Sequence, residues 1–402
     1  MKKISLKLSL LTIIIAMFIF ACAPADQVEK VEEPQGLSKA EIEQKVNMNM
    51  SLALEHYKNR EYADAIPLFL TVIRELEPDN STAYKYLAYS YLKHENEAYA
   101  DSAIAVFQNT ASKYNEKKFP FSGLGYIYLK KAEYDSAKYY YHEAVVRDTT
   151  DTKNIESFAN LLLRDAEYDS AITIFELGTR QDPDNIEFWE RLAELYKISD
   201  NDTKLVEVYQ NLTRINPENA SYLLELGQAY ARTDNDTKAV EMLESYVQAN
   251  PADYRGYRYL GNVKSLQGKY DEAIKNLEKA IELAPDNPRL YCDQAQAYIE
   301  KGQTSRASRC VSQARKIDSD YAYAFIAEGD ILTKIAYEMV SPEGELEFCT
   351  KKKFEEAYNK YKQVANDKRW GPVARARMRR IDDYLPTQEE KNTFKLMGRT
   401  CD

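Results

Sequence analysis

Residues 250–287 read NPADYRGYRYLGNVKSLQGKYDEAIKNLEKAIELAPDN, and this stretch decides the fold. It opens on Asn250-Pro251-Ala252-Asp253 and closes on Ala284-Pro285-Asp286-Asn287. A proline cannot continue a helix, and an Asp or Asn just after it can cap the next one, so each tetrapeptide marks a junction between helices. Between the junctions lie two apolar stripes, Tyr257, Leu260 and Gly261 and then Ala273, Leu277 and Ala280. Spacings of three and four residues put each set on one face of a helix, so the stretch is a helical hairpin.

The same junction recurs along the chain at Pro183, Pro217, Pro251 and Pro285, each 34 residues from the last. Two further units show the stripes: Phe121, Leu124, Gly125 and Tyr128 followed by Ala137 and Tyr141, and Trp189, Leu192, Ala193 and Tyr196. A period of 34 with a bulky residue, Leu-Gly, Tyr, then Ala and an aromatic resembles the tetratricopeptide repeat. The small residues Gly125, Gly227 and Gly261 let a first helix approach its second closely, and Ala137, Ala171, Ala239 and Ala273 do so from the facing side. The resemblance implies an all-α fold, a right-handed superhelical solenoid of helix-turn-helix repeats in which each unit buries its apolar face only by stacking on the next.

Units fall at about 46 to 80, 81 to 117, 118 to 151, 152 to 185, 186 to 219, 220 to 253, 254 to 287 and 288 to 321. The first two are irregular, with an extra residue before the proline in one and near Ala100 in the other. The repeat array is expected over 38–321, beginning at Ser38-Lys39-Ala40-Glu41, a capping box. A degenerate ninth unit opens with Phe325, Gly329 and Leu332, and its second-helix signature resumes at Ala357, 25 residues after Leu332 where Tyr128 to Ala137 takes 9. An insertion containing Ser341-Pro342-Glu343-Gly344 is expected between. A capping helix near Val373 to Tyr384 completes 322–384, and 385–402 reads as a tail.

At the N-terminus Lys2 and Lys3 precede an apolar run from Leu8 to Ala21, shorter than the roughly 20 residues of a bilayer span. The run fits the core of a signal peptide over 1–21. It ends Ile19-Phe20-Ala21-Cys22, which resembles a bacterial lipobox and implies lipid attachment at Cys22; Ala23 implies the outer membrane. Residues 22–37, with Asp26, Glu29, Glu32, Glu33 and Pro34, are too polar to bury a core and read as a flexible tether.

Composition narrows the function. The net charge of −10 lacks the basic footprint that nucleic acid demands, and 13 Gly and 13 Pro leave little beyond short turns. His56, His94 and His142 fall in different repeats at different positions, so no metal site and no catalytic residue is expected, and no cofactor is implied. Gly123-Leu124-Gly125 follows no strand and reads as helix packing rather than a phosphate loop. Of the 32 tyrosines, Tyr128, Tyr134, Tyr141, Tyr168, Tyr196 and Tyr230 sit at recurring signature positions and read as core packing with the hydroxyl reaching the surface, and most of the 32 need no functional explanation.

By resemblance, partners bind the concave face lined by the second, fifth, ninth and twelfth positions of each first helix. Those positions hold Lys85, Tyr89, Leu92, Phe119, Tyr126 and Leu129 in an aromatic and aliphatic zone, Glu187, Glu190 and Glu194 in an acidic one, and Arg255, Arg258, Asn262 and Arg289 in a basic one. Such a groove suits an extended peptide with its own charge pattern. Arg258 and Asn262 resemble part of a carboxylate clamp, although Asp293 stands where that clamp has Asn; the alternative is that these charges are solvated or pair with one another. A second basic run, Lys351 to Lys353 with Lys368, Arg369, Arg375, Arg377, Arg379 and Arg380, could face an anionic surface or form the wet side of the cap.

With Cys22 taken by lipid, Cys292, Cys310, Cys349 and Cys401 are an even number in an oxidising compartment. Cys292 and Cys310 each lie three residues outward from the level pair Ala295 and Ala307, so the expected bridges are Cys292 to Cys310 and Cys349 to Cys401. The expectation is therefore a lipid-anchored, non-enzymatic scaffold of the cell envelope that binds proteins or peptides, set against an alternative carrier or sensor of a small molecule or glycan near Tyr89 and Tyr126.

Overall fold

The computed structural model describes residues 37–94, 98–341, 344, 346–398, 400 and 401. The expected signal peptide, Cys22 and nearly all of the tether lie outside the described residues. The described residues form helices and no strand, and none of their helices is long and apolar enough to cross a membrane.

In chain order the helices are α1 (Lys39–Lys58), α2 (Tyr62–Thr71), α3 (Ser81–Lys93), α4 (Ala98–Lys113), α5 (Phe119–Lys130), α6 (Tyr134–Arg147) and α7 (Thr152–Arg164). Then come α8 (Tyr168–Gln181), α9 (Ile186–Ile198), α10 (Asp202–Ile215), α11 (Ser221–Arg232), α12 (Asp236–Ala249), α13 (Tyr254–Leu266) and α14 (Tyr270–Leu283). The last are α15 (Pro288–Glu300), α16 (Thr304–Ile317), α17 (Ala322–Glu338), α18 (Phe348–Gln363), α19 (Gly371–Ile381) and α20 (Gln388–Leu396). The chain divides into two compact units, Met1–Val106 and Phe107–Asp402.

In the first unit, α1 starts on the capping box of Ser38 and Glu41. Ala53, Ala65, Phe69, Val72, Ala83 and Leu87 form its core, with Tyr57, Tyr84 and Tyr86 packed around them. A turn of π-helix over Val72–Leu76 follows α2 and takes up the extra residue read before Pro78. One wide turn is how a helix absorbs a single insertion without losing its face.

In the second unit each first helix packs on its own second helix, and that helix on the next first helix, from α5 to α18. The expected caps are present: Asn185, Asp253 and Asn287 each accept a backbone N–H of the helix that follows. A Cβ on Gly227 or Gly261 would fall 2.7 Å from Leu243 or 2.8 Å from Leu277, so no larger residue permits this helix spacing. Gly123 likewise abuts Phe107, and a Cβ there would lie 2.3 Å from its ring. Tight packing accounts for that glycine.

The period is also written in the backbone. Ala132, Ala166, Asp200, Asp234, Gly268 and Gly302 take positive φ at the turn inside successive pairs, each 34 residues from the last. Only the last two carry the residue type that adopts this conformation freely.

The C-terminal region departs from the sequence reading in three places. The interval after Leu332 is filled mostly by helix, because α17 runs on to Glu338 and α18 begins at Phe348, nine residues before Ala357. The register survives: a Cβ on Gly329 would meet Tyr361 as one on Gly125 would meet Tyr141. The segment read as a tail holds α20, whose Lys391 pairs with Glu355 of α18. Cys349 and Cys401 form the expected disulfide. Cys292 and Cys310 do not: both are free, Cys292 fully buried and the Cys310 thiol donating to Gln294 Oε1 at 3.2 Å. Matching the level of two residues along antiparallel helices leaves their rotation open, and two positions along α15 turn a side chain by about 200°.

Candidate partner-binding face

First helices touch one another directly from α11 to α13, α13 to α15 and α15 to α17, whereas the second helices α12, α14 and α16 do so less. Closer approach on the first-helix side makes that side the concave one over this stretch. Core positions on these helices are buried, and so is the fifth position of each, Leu224, Arg258, Cys292 and Ile326, which leaves the second positions and the ninth-position residues Gln228, Asn262 and Gln296 to build a surface.

In the first unit Lys85, Tyr89 and Leu92 of α3 are half-buried, with the Lys85 ammonium 5.5 Å from the Tyr86 ring. In the second unit Phe119 and Leu129 of α5 are half-buried, and Leu129 packs against the core, leaving Tyr126 as the exposed aromatic of that helix with Lys130 over its ring. Glu187, Glu190 and Glu194 of α9 are all exposed. Arg191 sits between two of them, 3.9 Å from Glu187 and 3.2 Å from Glu194, and the Tyr222 hydroxyl donates to Glu190 at 2.7 Å. Neighbouring Glu156 of α7 is pushed up by its burial and by the Glu187 charge. The acidic zone is thus a continuous field over α7 and α9.

The basic zone is largely neutralised from within. Arg255 is exposed but donates to both carboxylate oxygens of Asp253, Nε to Oδ1 at 3.1 Å and Nη2 to Oδ2 at 2.7 Å. Arg258 is a correction to the sequence reading: it is buried, and its Nε donates to Asp293 at 2.7 Å. Asn262 reaches the same oxygen at 3.5 Å. Asp293, at the place where the clamp has Asn, supplies the carboxylate itself, so Arg258 and Asn262 hold a residue of this chain instead of a ligand. Arg289 is half-buried with its guanidinium 6.0 Å from Trp370, which stacks on Tyr323 at 4.1 Å. Trp370, from the turn before α19, therefore covers part of this face.

The C-terminal basic run divides. Arg377 pairs with Asp330 of α17, Arg375 donates to the Ala365 carbonyl, and Arg379 and Arg380 are exposed. Asp330 is the group that sequence reading missed. It occupies the ninth position of its first helix, equivalent to Asn262 and Gln296, so carrying the register into the irregular ninth unit locates it. At the α1–α2 turn, His56, Glu61 and Asp64 bring ligand-type atoms within 4.8 Å, and His56 hydrogen bonds Glu61 at 2.6 Å. That bond, between partly exposed side chains, accounts for the grouping.

Family models described as tetratricopeptide repeat match at residues 266–328, at 155–195, and at 50–116 together with 206–254. Among solved structures, a tetratricopeptide repeat protein from Parabacteroides merdae is 18% identical at a TM-score of 0.45, covering 64% of this chain and 96% of that one. YrrB, described as a TPR protein with an unusual peptide-binding site, is 19% identical at 0.39, covering 47% of this chain and 97% of its own. MamA is 23% identical at 0.39, with 42% of this chain and 93% of its own. A comparison with curated proteins finds no match.

Proposed function

Because the chain belongs to the tetratricopeptide-repeat family, we propose that it is a non-catalytic interaction scaffold, tethered by lipid at Cys22 in a bacterial envelope and gripping extended segments of partner proteins along its first-helix face. The observation that carries the groove is the exposed acidic field of Glu187, Glu190 and Glu194 on α9, with Glu156 beside it. Like charges held close together cost stability and are kept where a cationic partner repays them. Arg191 is the one cation among these four carboxylates, so the field keeps an excess of negative charge and selects a segment bearing Lys or Arg. The lipid anchor is supported by Ala21-Cys22 after the apolar run, and the envelope location follows from the anchor.

Crosslinking followed by pull-down tests the groove in cells carrying either the native chain or Glu187→Lys with Glu194→Lys. Partners lost from the charge-reversed chain support it, and an unchanged partner list overturns it. Cys22→Ala tests the anchor: the chain is expected to leave the membrane fraction, and retention there would sink that part.

A further inference from the structure

The groove positions of the last two first helices do not run out into solvent. Helix α19 closes over them and leaves a pocket of about 250 Å³ between α15, α17 and α19. Its floor is Asp330, 9% exposed, whose Oδ1 accepts the Tyr361 hydroxyl at 2.8 Å; Thr333 in turn lies 3.0 Å from that hydroxyl. Arg377 Nε stands 3.1 Å from the same oxygen, yet this buried N–H is aimed at no acceptor. Lys334 and Arg380 also line the pocket, and among the described residues neither has an ion pair. On the acidic side Glu300 joins Asp330 and accepts from Gln296 at 3.1 Å. Burial pushes the Asp330 carboxyl up, against the pull of Arg377.

The balance of groups points to the ligand. Three cations, Lys334, Arg377 and Arg380, face two acids, Asp330 and Glu300, leaving one positive charge. Donors are also in excess, since the Asp330 oxygen already accepts from Tyr361 and the Arg377 Nε–H beside it has no acceptor. What is missing is one compact acceptor of single negative charge. A carboxylate fits, and guanidinium groups grip one by parallel hydrogen bonds. A phosphate dianion would overshoot the charge and meet both fixed acids.

We propose that this pocket receives the carboxylate of an Asp or Glu side chain on the partner segment, so that α19 acts as an end-stop reading an acidic residue where the groove closes. The proposal rests on the groove reading above. Together the acidic field on α9 and this pocket then ask for a segment that is basic at one point and acidic at another.

The test uses the purified full chain and N-acetyl-glutamate N-methylamide, a blocked glutamate, read by saturation-transfer NMR. The glutamate probe is expected to bind, with its glutamine isostere roughly tenfold weaker. Arg380→Glu and Lys334→Glu should each remove binding, and Arg380→Lys, which keeps the charge but loses the paired donors, should weaken it by less than Arg380→Glu does. Arg380 is exposed, so an unchanged thermal melt of Arg380→Glu shows that the fold is intact. Equal binding of glutamate and glutamine probes, or full binding to a folded Arg380→Glu chain, overturns the proposal. Inorganic phosphate that displaces the probe at lower concentration than the probe's own affinity would overturn the carboxylate assignment. The probe reports the pocket alone, whereas the α9 charge reversals report the groove alone, so either can fail without the other.

Discussion

Arg258 on α13 and Asp293 on α15 meet at 2.7 Å with both side chains less than a tenth exposed, joining neighbouring repeats through an ion pair sealed from water. Asn262 adds a hydrogen bond to the same carboxylate at 3.5 Å. A buried charge left alone costs far more than the pair gains. Asp293→Ala is therefore expected to destabilise the chain by about 3 to 5 kcal/mol in urea unfolding. Replacing both partners by apolar residues, Arg258→Met with Asp293→Leu, should recover most of it. A single-variant loss below roughly 1 kcal/mol would mean that water reaches the pair.

The left-handed turn positions make a matched pair of substitutions. Ala166 holds φ 58 without being glycine, so Ala166→Gly is expected to stabilise by about 0.5 kcal/mol, the steric relief offset by a freer unfolded chain. Gly302 has φ 78, and a methyl group added there would meet nothing within 4 Å. Gly302→Ala should thus cost about 1 kcal/mol by conformation alone. Denaturation midpoints that move in the same direction for both variants would contradict this account.

Asp253 caps α13 and binds Arg255 and Tyr246. Burial pushes its carboxyl up, but the hydrogen bonds from Arg255 and Tyr246 outweigh this and hold it at about 2, below the ordinary 3.8. A depressed folded value means that the stabilisation is complete above the unfolded value and is lost as pH falls from about 4 through 2. Asp253→Asn keeps an oxygen for the cap while removing the charge. The stability gap between native and variant chains should close over that pH window, and a gap that stays constant from pH 5 to 2 would reject the charge contribution.

The disulfide between Cys349 and Cys401 ties residues 52 apart, so its loss should free the α20 end while the repeats stay folded. By loop closure, the crosslink contributes at most about 4 kcal/mol. Non-reducing peptide mapping is expected to find this link together with thiols at Cys292 and Cys310. Burial raises both thiols, Cys310 to about 11, so alkylation at neutral pH should be slow until the chain unfolds. A Cys292-to-Cys310 peptide in the map would reverse the assignment.

The repeat, its period and its register were legible because each 34-residue unit solves the same packing problem with residues nearby in the chain. Pro251 and Pro285 mark the junctions, Gly261 and Ala273 set the helix spacing, and Leu260 and Leu277 fill it. Local chemistry of this kind is complete within one hairpin, and the register even carried across the irregular ninth unit to Gly329 and Tyr361. Which candidate groove residues stay available was decided only by the tertiary structure. Arg258 faces Asp293 from 35 residues away, Arg377 faces Asp330 from the other side of α18, and Cys310 meets Gln294 instead of Cys292. Each depends on helix rotation and on which neighbour arrives opposite. A one-dimensional pattern specifies which side chains share a face, but their charges are cancelled or left exposed by helices that the pattern does not place.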